Sequence, residues 1–188
     1  MNPRPTRKAQ DSKSEILQAA LDLIRRSGAP SLTIDAVAEE SGFSKGGVLY
    51  NFPTKDALIT GMVEHLAGQY EAEVATARER HLASRCPTLS AMIDVTEGWL
   101  SQNRDVARAM LATKADRPEL SQPFMHVRSR LKAAIEAETD ATGQAWAIWS
   151  CLEGLHFSEA HCVAIFSEDE RKAVFQELRG YLADNYQN

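Results

Sequence analysis

An all-α protein of about nine helices is the fold this sequence predicts, and three observations predict it. Apolar residues recur at i, i+3 and i+4 over long stretches. No segment alternates apolar and polar residues like a half-buried strand, and no Asn-Gly or Asp-Gly turn joins two apolar runs. The prolines, at positions 3, 5, 30, 53, 87, 118 and 123, punctuate the chain at intervals that suit helices and then stop.

The first helix opens on Ser12-Lys-Ser-Glu15, a capping-box pattern, carries Ile16, Leu17, Ala20, Leu21 and Ile24 on one face, and stops at Gly28. Thr33 caps a short second helix with Ile34, Val37 and Ala38 on one face, closed by Ser41-Gly42. Ser44 caps a third, which ends at Phe52-Pro53 because a residue preceding proline is pushed out of the helical region. Two short helices joined by a few residues that include glycine form a helix-turn-helix. A long helix follows from Thr54 to about Arg80, and Pro87 opens a fifth that carries Leu89, Met92, Ile93, Trp99 and Leu100. Further helices are expected over 104–116, 122–138 and 141–163, and the last starts at a second capping box, Ser167-Glu-Asp-Glu170. The expected organisation is a flexible basic arm over 1–11, a helix-turn-helix domain over 12–60 and a second helical domain over 61–188.

Composition narrows the function class. The chain has 188 residues, 44% apolar and 25% charged, which is ordinary for a globular protein. The longest apolar runs, Ala145 to Trp149 and Cys162 to Phe166, fall far short of the ~20 residues that span a bilayer, and the polar N-terminus lacks the apolar core of a secretory signal. A cytoplasmic protein with no membrane role is expected. The net charge of −5 is unevenly spread: residues 1–60 hold 8 Lys+Arg against 7 Asp+Glu, and the remainder is acidic. Three cysteines with no Cys-x-x-Cys pair argue against a disulfide framework or a cysteine-built metal site, and no cofactor is expected.

The informative stretch runs from Ser31 to Ile59, with Ile34-Asp-x-Val-Ala-x-x-Ser-Gly-Phe-Ser-Lys-Gly46 leading into Phe52-Pro-Thr-Lys-Asp-x-Leu58. It resembles the DNA-binding domain of the tetracycline-repressor-like (TetR/AcrR) family of regulators over roughly residues 12–60. Within that family it is similar to a subgroup with a Gly-Gly or Leu-Leu-Tyr-x-Phe-Pro pattern in the third helix. The resemblance implies phosphate contacts from Thr33, Ser44, Tyr50, Asn51 and Lys55, and base-facing positions at Lys45 and Gly47. The physics agrees: a recognition helix needs a slim N-terminal turn to enter a major groove, and Ser44-Lys45-Gly46-Gly47 is one. Two glycines in a short helix lower its propensity by roughly 1 kcal/mol each, so close approach to DNA or a tight helix crossing is needed to account for them. Arg4, Arg7 and Lys8, with no acid before Asp11, could follow the phosphate backbone.

Two decoys compete. Gly42-Phe-Ser44-Lys-Gly46 matches a hydrolase nucleophile elbow, but that motif requires a strand before the serine, and here a helix precedes it, so no enzyme activity is expected. Glu153-Gly-Leu-His156 is half of a di-iron pair with no second copy, so no metal is expected.

The resemblance further implies a C-terminal domain that binds a small effector and forms a homodimer. In the helix over 141–163, at about 100° per residue, Trp146, Trp149, Glu153 and His156 share one arc. With Trp99, Met110 and Phe124 they would line an aromatic pocket, whose carboxylate among indoles suits a lipophilic cation; ordinary core packing is the alternative. The adjoining small-residue arc, Ala147, Ser150, Gly154 and Ser158, is assigned to the dimer interface with Val174, Leu178, Tyr181 and Leu182 of the last helix. The function expected is a repressor released from a palindromic double-stranded operator by its effector. A helical small-molecule or metal-binding bundle without DNA function is the alternative.

Overall fold

The computed structural model describes residues 7–108, 118–163 and 165–185. Among them eight α-helices have defined bounds: α1 (Arg7–Ser27), α2 (Ile34–Ser41), α3 (Lys45–Asn51), α4 (Lys55–Arg78), α5 (Pro87–Gln102), α6 (Gln122–Glu138), α7 (Thr142–Ala160) and α8 (Glu168–Asn185). Residues 104–108 are helical as well, and no strand occurs among the described residues. None of the described helices is long and apolar enough to cross a membrane.

The chain forms two compact units. One comprises residues 1–66 and 105–120, the other 67–104 and 121–188. The division falls inside α4, after Leu66, and Met62, Val63 and Leu66 just before it are buried.

In the first unit, Ile16, Leu21 and Ile24 of α1, Val37 of α2, Val48 of α3 and Leu58 of α4 are almost fully buried. α1 packs on α2, and α2 on α3. α1 begins at Arg7, more than a turn ahead of the expected start. Ser12-Lys-Ser-Glu15 therefore lies inside the helix rather than at its start, and Arg7 and Lys8 of the expected arm belong to its first turn; Arg4 lies outside the described residues. Gly28, at φ 77°, and Gly42, at φ 72°, end α1 and α2 in the left-handed region, where a side chain would be strained.

In the second unit, α5 packs against α6, α7 and α8 around Leu89, Met92, Ile93, Ile135, Ile148, Leu152 and Phe175. Glu138, at the end of α6, caps α5: its carboxylate accepts from the Thr88 amide and hydroxyl, both at 2.8 Å, and from Arg78 Nε of α4 at 2.9 Å. Burial pushes the neighbouring Cys86 thiol up to about 11, so it is a packed, unreactive group. The capping box at the start of α8 forms as the sequence indicates: Ser167 N donates to Glu170 Oε2 at 2.8 Å, and Glu170 N donates to Ser167 Oγ at 3.3 Å.

Candidate nucleic-acid interface and effector site

The helix-turn-helix is built by short-range capping. Thr33 Oγ1 accepts from Ala36 N at 3.1 Å, Ser44 Oγ from Gly47 N at 3.1 Å and Thr54 Oγ1 from Ala57 N at 3.0 Å, so each of α2, α3 and α4 starts where its hydroxyl stands. Ser44 is thus a helix cap preceded by a helix, and the nucleophile-elbow pattern lacks the strand it requires before the serine. Replacing Ser44 by Ala should cost about 1 kcal/mol of stability, read as a lower urea midpoint; an unchanged midpoint would show that the cap is idle.

α3 buries Val48 and anchors its end with Phe52, and this fixes which face points outward. Thr33, Ser44, Lys45, Gly46, Tyr50 and Lys55 are exposed, Tyr50 to 85%, and Gly47 is half-buried. A Cβ built on Gly46 would meet only the Ser44 hydroxyl, at 4.0 Å, and one on Gly47 only Ser44 and Phe43, at ordinary contact distances. No helix crosses there, which removes the tight-crossing explanation for the two glycines and leaves a bare turn facing outward.

Asn51 is half-buried at the end of α3. Its amide Nδ2 donates one of its two hydrogens to Gly47 O at 2.9 Å, closing the last turn of α3. The tight crossing lies elsewhere: a Cβ on Gly61 of α4 would stand 2.8 Å from Phe52 Cε1 and 3.1 Å from Leu17 Cδ2. Nothing local in the sequence marks Gly61. Two ion pairs across this unit also escaped notice, Lys45 to Asp35 at 2.9 Å and Arg26 to Glu40 at 2.5 Å.

In the second unit the expected pocket residues fall into two groups. Trp99 stacks edge-on against Phe124 (centroids 6.3 Å) and against Tyr70 of α4 (5.4 Å), and Tyr70 faces the His156 ring at 6.4 Å. Tyr70 shares a hydrogen bond with Thr96 at 3.3 Å, and burial pushes its phenol up to about 12. The second group is Trp146 and Trp149, 5.9 Å apart, with Lys132 over the Trp146 ring. Met110 lies outside the described residues.

Glu153 joins this second group and already carries an ion pair. Arg128 Nε and NH2 donate to its two oxygens at 3.0 and 2.5 Å, and Trp149 Nε1 donates at 3.0 Å. Desolvation opposes the charge, but Arg128 and Trp149 outweigh it and hold the carboxylate below its usual range. The carboxylate meant to select a cation already has one, donated by α6 from 25 residues away. Arg128, Tyr70 and Thr96 were not identified from the sequence, which carries no periodic signal linking separate helices.

Burial pushes His156 and His65 below the ordinary histidine value of 6.5, with the Arg25 charge adding to the effect at His65. Just below that pH the unfolded chain binds protons that the native state does not. Stability should therefore be full above about pH 6.5 and fall on acidification through it. Urea midpoints at about pH 7.5 and 5.5 check this, and a midpoint that rises on acidification would contradict it.

Of the expected dimer residues, Ala147, Ser150 and Gly154 are exposed along α7, Tyr181 is 43% exposed, and Ser158, Val174 and Leu178 are half-buried. Leu182 is a correction: it is buried in the core of its own unit and has no surface to offer a partner. Its spacing put it on an apolar stripe, but spacing does not say which neighbour covers the stripe. Phe157, 58% exposed, extends the outward face of α7 and was not identified from the sequence. Among the described residues no group of three or more His, Cys, Asp or Glu could hold a metal ion.

Comparison with known proteins gives these arrangements a lineage. Residues 16–62 match the profile of bacterial regulatory proteins of the tetR family, and residues 87–183 match the tetracyclin repressor-like C-terminal domain. The chain is 37% identical over 65 residues to the uncharacterized HTH-type transcriptional regulator YfiR of Bacillus subtilis; the match covers 34% of this chain and about a third (32%) of that protein. Its fold is similar to a TetR-family regulator from Rhodococcus sp. (TM-score 0.69, 18% identity, 95% of this chain and 100% of that one). It is also similar to the multidrug binding protein EbrR complexed with malachite green (TM-score 0.59, 21% identity, 93% and 98% covered). With one profile covering the helix-turn-helix and another more than half of the chain, this protein belongs to the tetracycline-repressor-like (TetR) family of bacterial regulatory proteins.

Proposed function

We propose that the protein is a homodimeric, cytoplasmic transcriptional repressor that binds a palindromic double-stranded operator and is released by a small lipophilic effector. The observation that carries this is α3: a short helix anchored by Val48 and Phe52, presenting a side-chain-free turn, Lys45 and Tyr50 to solvent. A turn without side chains lets backbone approach the groove, and a two-fold dimer places two such helices in successive major grooves. Its Gly-Gly-Val-Leu-Tyr-Asn-Phe-Pro run aligns the chain with the Leu-Tyr subgroup. The exposed arc of α7, Ala147, Ser150, Gly154 and Phe157, with Tyr181 of α8, is the dimer surface, since small residues admit a close helix partner.

The effector is an aromatic molecule that stacks within the Tyr70, Trp99, Phe124 and His156 cluster. EbrR, of similar fold, is described with malachite green bound, which supports an aromatic ligand. Nothing in the cluster calls for a positive charge, because Arg128 neutralises Glu153. Tyr70 stands on α4, whose other end enters the helix-turn-helix at Lys55, so a ligand that displaces Tyr70 acts on the helix that carries the DNA-reading unit.

The test is filter retention of labelled duplexes of random sequence by the wild type and by a Tyr50→Glu variant, which puts an anion on the exposed face of α3. The wild type should retain duplex DNA and the variant should lose about tenfold in affinity. Equal retention would remove α3 from the interface.

A further inference from the structure

Lys45 is the only charged residue of α3. Its ammonium does not stand free: Nζ lies 2.9 Å from Asp35 Oδ1 and 3.1 Å from Asp35 Oδ2, in the first turn of α2. The fold gives this pair little to do. Both side chains are more than half exposed (59% and 71%), α2 already starts on the Thr33 cap, and Val37, Ala38 and Val48 bury the apolar faces of α2 and α3. A carboxylate beside a DNA-reading helix, taken alone, only repels phosphate. Placed against the single cation of that helix, it does something else.

We propose that Asp35 is a specificity-determining residue that acts through Lys45: it holds the ammonium neutralised on DNA of arbitrary sequence and yields it only where a base edge offers a well-placed acceptor. The proposal rests on α3 facing DNA. Binding to arbitrary duplex is driven by counterion release, each neutralised phosphate adding about 0.9 to the slope of log K against log salt. A Lys45 held by Asp35 contributes nothing to that slope. On the cognate site the ammonium exchanges one anionic partner for guanine acceptors in the major groove, and the released carboxylate, open to water, is hydrated. The pair thus subtracts one contact from non-cognate binding and leaves the cognate contact in place. Any variant that neutralises Asp35 should bind more DNA and discriminate less.

The test is fluorescence anisotropy on one duplex of arbitrary sequence, about 30 base pairs long, between about 50 and 200 mM salt. Wild type, Asp35→Asn, Lys45→Gln and the double variant are compared, with thermal denaturation confirming that all four are folded. Asp35→Asn should raise affinity about fivefold and steepen the salt slope by about 0.9, and both changes should vanish in the Lys45→Gln background. An Asp35→Asn effect that persists without Lys45 would show simple repulsion of phosphate and overturn the proposal; so would no effect at all. If the wild type binds no duplex at about 50 mM salt, the DNA-facing assignment of α3 fails and the proposal falls with it.

Discussion

Replacing Glu159 by Ala should lower the stability of the second unit by about 3 kcal/mol, a larger loss than that of any other single ion-pair residue among the described residues. Glu159, in the last turn of α7, is 5% exposed. Arg171 of α8 donates to its Oε1 at 2.6 Å, and Arg104, just beyond α5, brings Nε to 2.7 Å from Oε2 as a charge contact rather than a directed hydrogen bond. Removing the carboxylate takes away the hydrogen-bonded anion of Arg171, a guanidinium only 14% exposed and so poorly hydrated. Glu71→Ala is the matched comparison: its partner Arg130 is 58% exposed, and losing that solvent-screened pair should cost far less. Urea denaturation of both variants separates the cases, and equal losses would show that burial does not set the value of these pairs.

The second large effect concerns Gly61. Gly61→Val should destabilise the first unit by about 2 kcal/mol and weaken DNA binding with it. The new side chain would run into the Phe52 ring, 2.8 Å from the position of its Cβ, and Phe52 is buried to 5% at the end of α3. Relief requires the ring to shift, and with it the end of the reading helix. Gly68, two turns further along the same α4, has nothing within 4 Å of the corresponding position. Gly68→Ala should therefore stabilise by about 0.5–1 kcal/mol through helix propensity alone. Opposite signs along one helix are the expected result, and a stabilised Gly61→Val would refute the crowding.

What the sequence revealed and what it concealed follows from the range of each interaction. Caps act over three residues, so Thr33, Ser44 and Ser167 could be placed by inspection, as could the left-handed stops at Gly28 and Gly42. The same local rule misled at Ser12, because a Ser-x-x-Glu pattern also fits inside a helix when the preceding residues, Arg7 to Gln10, favour helix themselves. The helical periodicity set Ala147, Ser150 and Gly154 on one arc of α7, which is exposed, but it did not single out the buried stripe of Ala145, Ile148, Leu152 and Leu155. It could not show that Arg128 reaches Glu153, that Asp35 holds Lys45, or that Leu182 turns inward. Those depend on how separate helices pack, which no spacing within one helix records. The charge state of the aromatic face changed from anionic to neutral for that reason alone.

The central claim is that this fold reads DNA sequence as a two-fold dimer. It is tested most directly by selecting bound duplexes from a random-sequence pool with the purified protein at about 150 mM salt, the mass of the complex being recorded alongside. Enrichment of an inverted repeat, its half-sites about one or two helical turns apart and bound by an even number of chains, is the predicted result. Retention that enriches no sequence and disappears as salt rises would contradict it.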